Sequence, residues 1–244
     1  CPYNLKYPDC KLACVSFIEE QILTRVAPAE DVAAIVVEPV QGEGGYIVPP
    51  PDYFSALSAM AKKYNIMLMV DEVQSGMGKT GKMFAIEHFN VTPDIITIAK
   101  ALASGIPLGA CIADADVMDW PPGAHSTTFG GNPIACASAH ATLDLLEGGL
   151  VENARVQGEF LMAELKKMQT RHPSMGDVRG LGLMIGIEFV RDRVTKEPSK
   201  QMAADVEQMA CRKGMMLLTC GPNGIRLVPP LIITREQCSV ALEI

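Results

Sequence analysis

Two short apolar runs constrain this chain most, because each is of strand length and each ends in a charge. Ile66-Met67-Leu68-Met69-Val70 runs into Asp71-Glu72-Val73-Gln74, and Ile95-Ile96-Thr97-Ile98-Ala99 runs from Asp94 into Lys100. A helical pattern over 51–64 precedes the first run, and further strands are expected over 33–38 and 108–113. Strands alternating with a helical segment predict an α/β fold built on a mainly parallel sheet. In open sheets of this kind ligands collect at the carboxyl ends of the strands, so Asp71 and Lys100 should face one crevice. A lysine there can form a Schiff base, and a nearby aspartate can hold a protonated ring nitrogen. A structural salt bridge between the two is the plainer alternative.

The texture changes in the second half. Asn132-Pro133 opens a helix, with proline suited to its first turn, and Gly148-Gly149 is expected to stop it. Beyond lie an amphipathic helix over 151–170, a strand-like run over 183–190, a helix over 201–213 and short strands near Leu217 and Arg226. This predicts a smaller α+β unit, and a division into residues 1–149 and 150–244. The chain opens on Cys1 and stops within a helical pattern begun at Thr234-Arg235-Glu236-Gln237, so it reads as a fragment in which neither domain is complete.

Composition removes several classes of function. With 48% hydrophobic and 20% charged residues over 244 positions, the chain can bury a large core. Its apolar runs fall far short of the roughly 20 residues a membrane-spanning helix needs, and a membrane role is not expected. The net charge of -7, with 21 scattered Lys and Arg, disfavours a nucleic-acid surface and favours a small-molecule partner. The eight cysteines form no Cys-x-x-Cys pair and the four histidines stand far apart, so no metal site is expected. Thiols without a disulfide pattern suggest a reducing compartment, hence a cytoplasmic protein.

Three glycine-containing loops carry further information. Glu38-Pro39-Val40-Gln41-Gly42-Glu43-Gly44-Gly45 follows the first strand, where glycines let the backbone approach a ligand and Glu43 could pair with a cation or a substrate amine. Solvated loop acids are the alternative. Gly78-Lys79-Thr80 invites a nucleotide reading, but the phosphate-loop pattern requires glycine where Val73 stands. Ser126-Thr127-Thr128-Phe129-Gly130-Gly131-Asn132-Pro133 places hydroxyls before a helix start, where an anion is readily held, although Asn132 also serves as a plain helix cap.

These motifs together resemble the class III aminotransferases, a pyridoxal-phosphate family of fold type I, and among its members the 4-aminobutyrate aminotransferases in particular. The likeness runs in family order through the Glu38 loop, Asp71 to Gly76, Gly78 to Gly81, Pro93-Asp94 through Lys100, Thr128 to Pro133, Asp177 to Gly182 and Ile225 to Pro229. It implies the partial large domain of such a transferase followed by its smaller C-terminal domain. By resemblance, Lys100 is the Schiff-base lysine and Asp71 the partner of the pyridine nitrogen. Gln74 matches the residue that binds the cofactor's phenolic oxygen, and Val73 the one packed on the ring. Thr128 matches a phosphate ligand that reaches the neighbouring subunit, which implies a homodimer with shared sites. Arg226 matches the residue that binds the substrate carboxylate; Glu43 is its partner when no carboxylate is present, and Glu38 belongs to the same substrate-side loop.

The resemblance implies transfer of an amino group from an ω-amino acid, most nearly 4-aminobutyrate, to 2-oxoglutarate. Ornithine or acetylornithine transamination, amino-acid racemisation and phospholyase chemistry use the same lysine and aspartate. A noncatalytic interaction fragment is the non-enzyme alternative. Two departures stand out: Lys79 replaces a usual arginine, and Met83-Phe84 replaces an aromatic position. The upstream region that carries the main phosphate cup and the ring-stacking aromatic in the family lies outside this sequence, so the isolated chain is expected to be inactive.

Overall fold

The expected alternation produces a first sheet of four strands, β1 (Ala34–Val37), β2 (Met67–Asp71), β3 (Ile95–Ile98) and β4 (Ala110–Ala113), in that order. This is a computed structural model that describes Cys1 and residues 3–244. β1 and β3 flank β2 in parallel, with Val37 opposite Val70 and Asp71 opposite Thr97. β4 runs antiparallel to β3. The residues between β3 and β4 make only a short helical turn, Lys100–Ala103, whereas a parallel return needs a crossover of about a dozen residues or more. The parallel register brings Glu38, Asp71 and Lys100 to one edge of the sheet.

Two helical segments cover this sheet. α1 (Ala13–Phe17) passes into a π-helical stretch, Ile18–Val26, in a region where the sequence patterns assign no element. α2 (Tyr53–Lys63) buries Phe54, Leu57, Met60 and Ala61, a spacing that lines one helical face. Together with Val15 and Leu23 they pack on Leu68 and Val70 of β2. Each large side chain so buried contributes about 2 kcal/mol against exposure.

α3 (Pro133–Leu145) starts where expected, with Ala135 N–H donating to the Asn132 side chain at 2.9 Å. As expected, the helix breaks at Gly148-Gly149: a short π turn, Leu146–Leu150, contains Gly149 in a non-helical conformation with φ 127°, and a separate helix, α4 (Val151–Arg171), begins beyond it. Buried Leu146 packs with Met77, Ile98 and Leu102, and Val151 joins the same cluster, which holds the two helices together at the kink.

The second sheet, β5 (Met175–Leu181), β6 (Met184–Phe189), β7 (Leu218–Cys220) and β8 (Gly224–Leu227), is antiparallel throughout in the order β5-β6-β8-β7. α5 (Lys200–Arg212) and α6 (Arg235–Glu243) complete this part, α6 beginning in a capping box between Thr234 and Gln237. β5 escapes the hydrophobic pattern because Gly176, Asp177, Arg179 and Gly180 interrupt its alternation.

Backbone-to-backbone contact joins the two sheets. Gly158 of α4 lies so close to Gly182 that a Cβ would sit 2.2 Å from the Gly182 carbonyl, and a Cβ on Gly182 would sit 2.4 Å from the Thr80 carbonyl carbon. The Leu183 N–H donates to the Lys79 carbonyl at 3.0 Å across the same junction. Because backbone cannot yield as a side chain can, Gly158→Ala is expected to destabilise the protein by about 2 kcal/mol. An unchanged urea midpoint would show that the junction relaxes freely.

Candidate active site

The edge where β1, β2 and β3 end gathers most of the residues singled out from the sequence. Asp71 is half-buried, and its Oδ1 accepts the Val73 N–H at 2.9 Å, which folds the chain over the strand end. Among the described residues its Oδ2 has no hydrogen-bond partner, so one carboxylate oxygen remains to face a ligand. Glu72, the next residue, points away and is 1% exposed. It accepts the Ile86 N–H at 2.8 Å and the Ser75 hydroxyl at 2.5 Å, while burial pushes its pKa above the ordinary carboxylate range. Strand alternation thus divides the adjacent acids between the site and the fold.

Lys100 is exposed and takes the left-handed conformation, with φ 43°. For a lysine this costs about 1 kcal/mol or more, and such strain persists only where neighbours hold it. Buried Leu102 and Ala103, and the Leu102 N–H donating to Ala99 O at 3.0 Å, do the holding. No ion pair between Lys100 and Asp71 forms among the described residues, so the structural salt bridge does not account for them. The pair leaves an amine and a carboxylate available at neighbouring strand ends.

The glycine loop packs onto the same edge. Glu38 Oε2 accepts the Gly42 N–H at 2.8 Å and braces the loop from within. The Gln74 amide lies close over Gly42, where a Cβ would come within 2.6 Å of its nitrogen. Gln74 is thereby packed against the loop, three residues beyond Asp71. Val73 is half-buried at the strand end between them.

Glu43 and Arg226 meet in an ion pair although they are far apart in sequence. The Arg226 side chain is 16% exposed and that of Glu43 68%, so the arginine is held within the fold and the glutamate reaches it from the solvent side. Exposure of Glu43 limits the pair to about 1 kcal/mol. The Arg226 Nε is buried without a hydrogen-bond partner, an arrangement suited to a further acceptor. Tyr46, 2% exposed, faces the same guanidinium, and burial raises its pKa while Arg226 opposes the rise. The sequence patterns did not mark Tyr46, because an aromatic after two glycines reads as ordinary core.

Thr128 stands apart. It is exposed in the irregular segment before Asn132, and among the described residues no hydrogen bond ties it to the Asp71 edge. Lys79 is also not at that edge: its Nζ donates to Pro229 O at 3.0 Å, and burial lowers its pKa to about 8. Thr80 is 2% exposed and its hydroxyl lies 3.1 Å from His88 Nε2. The Gly78-Lys79-Thr80 segment is therefore spent on the junction, which removes the nucleotide reading.

Among the described residues no cluster of metal-ligating side chains forms, and no helix is long and apolar enough to cross a membrane. The residues present fit a carbonyl-bearing heteroaromatic group: an amine, a carboxylate with a free oxygen and a side-chain amide stand at neighbouring strand ends, and Arg226 pairs with a carboxylate of the adjoining loop.

Comparison with known proteins identifies the family of the chain. A model of the family described as aminotransferase class-III matches residues 2–244. The leucine/methionine racemase of Thermococcus litoralis is 42% identical over 245 residues, covering 100% of this chain and 55% of that protein. The 4-aminobutyrate aminotransferase of Escherichia coli is 41% identical over 248 residues, covering 100% and 57% respectively. Among solved structures, a PLP-bound amine transaminase from an uncultivated Pseudomonas species superposes with a TM-score of 0.91 at 35% identity, over 100% of this chain and 57% of that one. The chain thus spans little more than half the length of the proteins it matches.

Proposed function

The chain belongs to the class-III aminotransferases, and from that premise we propose that it carries the central catalytic pair of a pyridoxal-phosphate-dependent transaminase acting on an ω-amino acid. Residues 1–149 then form part of the cofactor-binding domain and 150–244 part of the smaller one. When bound, pyridoxal phosphate would supply an electron sink for the pair left at the amine-bearing carbon of the substrate as its proton departs. The Asp71 carboxylate would hold a proton on the ring nitrogen and so strengthen that sink. The Lys100 amine would anchor the group and, when displaced by substrate, move the proton of the amine-bearing carbon as a general base. Gln74 would hold the phenolic oxygen and Val73 the ring face. The eight cysteines are free thiols, in keeping with a reducing, cytoplasmic setting.

The Glu43–Arg226 pair carries the choice of substrate. A bidentate guanidinium fits the α-carboxylate of glutamate, which would displace Glu43. With 4-aminobutyrate no α-carboxylate is present and Glu43 closes the pair, so one site serves both half-reactions of exchange with 2-oxoglutarate. Glu38 supports this from inside the loop. Thr128, exposed in its own chain, would serve a second subunit's phosphate, and the working form would then be a homodimer.

Single-turnover loss of the cofactor's visible band in the whole protein tests the reading. 4-Aminobutyrate should react faster than ornithine or acetylornithine, and Glu43→Gln should slow the ω-amine half-reaction about tenfold more than the glutamate half-reaction. Equal slowing of both would remove the switch. A second reading, racemisation of an amino acid, is favoured by the 42% identity to a racemase over the whole chain. Deuterium wash-in at Cα with inversion, and no consumption of a 2-oxo acid, would replace transamination with it.

A further inference from the structure

Glu43 reaches Arg226 from a loop that is not free. At its base Gln41 and Ile47 exchange hydrogen bonds at 3.0 and 3.2 Å, and the Gly45 N–H closes a turn on Gly42 O at 3.1 Å. The second sheet then grips the loop at Glu43 itself and two residues beyond it. The Gly221 N–H, in the turn between β7 and β8, donates to the Glu43 carbonyl at 2.8 Å. Arg179 of β5 donates from Nε at 3.0 Å and from Nη2 at 2.7 Å to the Gly45 carbonyl. Its remaining nitrogen, Nη1, meets Asp177 at 2.9 Å and Glu188 at 2.6 Å.

We propose that Arg179 is a positioning residue for Glu43: it clamps the loop backbone to the sheet that carries Arg226, so that substrate exchange moves only the Glu43 side chain. This rests on the reading of Glu43 and Arg226 given above. The two partners of the pair are then referenced to one rigid body, and their separation does not depend on loop flexibility. The arginine fork suits the task, because two N–H groups converge on one carbonyl while a third direction serves the carboxylates. Asp177 and Glu188 have a second effect. They neutralise a guanidinium that would otherwise compete with Arg226 for Glu43 or for a substrate carboxylate. A lysine would supply the charge but not the converging donors.

The test uses the cofactor-loaded whole protein carrying Arg179→Lys, with Arg179→Gln as the substitute should the first fail to accumulate as folded protein. Amide exchange over residues 42–47 should quicken by about tenfold, the factor expected for losing one charge-assisted hydrogen bond, while β6 stays protected. The ω-amine half-reaction should fall several-fold more than the glutamate half-reaction. Unchanged exchange over 42–47 would overturn the clamp, and quicker exchange with equal loss in both half-reactions would overturn its role in positioning Glu43. Failure of the Glu43 switch itself is read separately, from Glu43→Gln, and leaves the exchange result to decide the clamp.

Discussion

Lys100→Ala is expected to reduce transamination by at least about 10³-fold in the whole protein. Two losses combine: the covalent anchor of the cofactor disappears, and so does the amine that moves the proton of the substrate's amine-bearing carbon, a role worth about 10²–10⁴ in rate by itself. The structure adds a reason to expect little damage to the fold. Lys100 is exposed, makes no ion pair with Asp71, and holds a left-handed backbone that alanine tolerates about as poorly. Borohydride treatment of the unaltered protein should fix the cofactor on Lys100, and mass spectrometry should find that adduct missing in the variant. An adduct on another lysine, or retained activity, would end the assignment.

Asp71→Asn is the second large effect, expected at about 10²–10³-fold, the usual cost of removing one preorganised electrostatic contact at a reacting centre. The amide oxygen can still accept the Val73 N–H that Oδ1 now holds at 2.9 Å, so the strand end should keep its shape. What is lost is the charge that favours a protonated ring nitrogen. The cofactor should therefore still bind while the proton of the amine-bearing carbon leaves slowly, giving a large primary isotope effect with a substrate deuterated at that carbon. Wild-type rates, or loss of cofactor binding with the fold intact, would show that Asp71 serves another purpose.

The βαβ alternation of the first sheet was legible because buried parallel strands are continuous apolar runs, and those of β2 and β3 end in visible charges. β4 was legible as a strand but not in its direction. Direction depends on whether the connection is long enough to cross the sheet, and after Lys100 the chain makes only a short turn. The break at Gly148-Gly149 was legible because glycine readily takes a positive φ, whereas the way the two helices close up around it was set by packing, with Leu146 and Val151 in one cluster. β5 was missed for the opposite reason: its glycines and charges serve the junction and the loop clamp, so they erase the alternation that marks a strand.

By itself, then, the sequence determined the sheet class, the Asp71 and Lys100 strand ends and the membership of the chain in its family, because all three rest on local patterns. The Arg226–Glu43 pair was implied by the family resemblance, but only the tertiary structure decided that Arg179 and Gly221 hold the loop that carries Glu43 and that Lys79 belongs to the junction. Each of those is a contact between residues more than 130 positions apart. Such contacts depend on how two sheets dock, and docking is set here by backbone meeting backbone at Gly158 and Gly182, a close approach that no local pattern encodes.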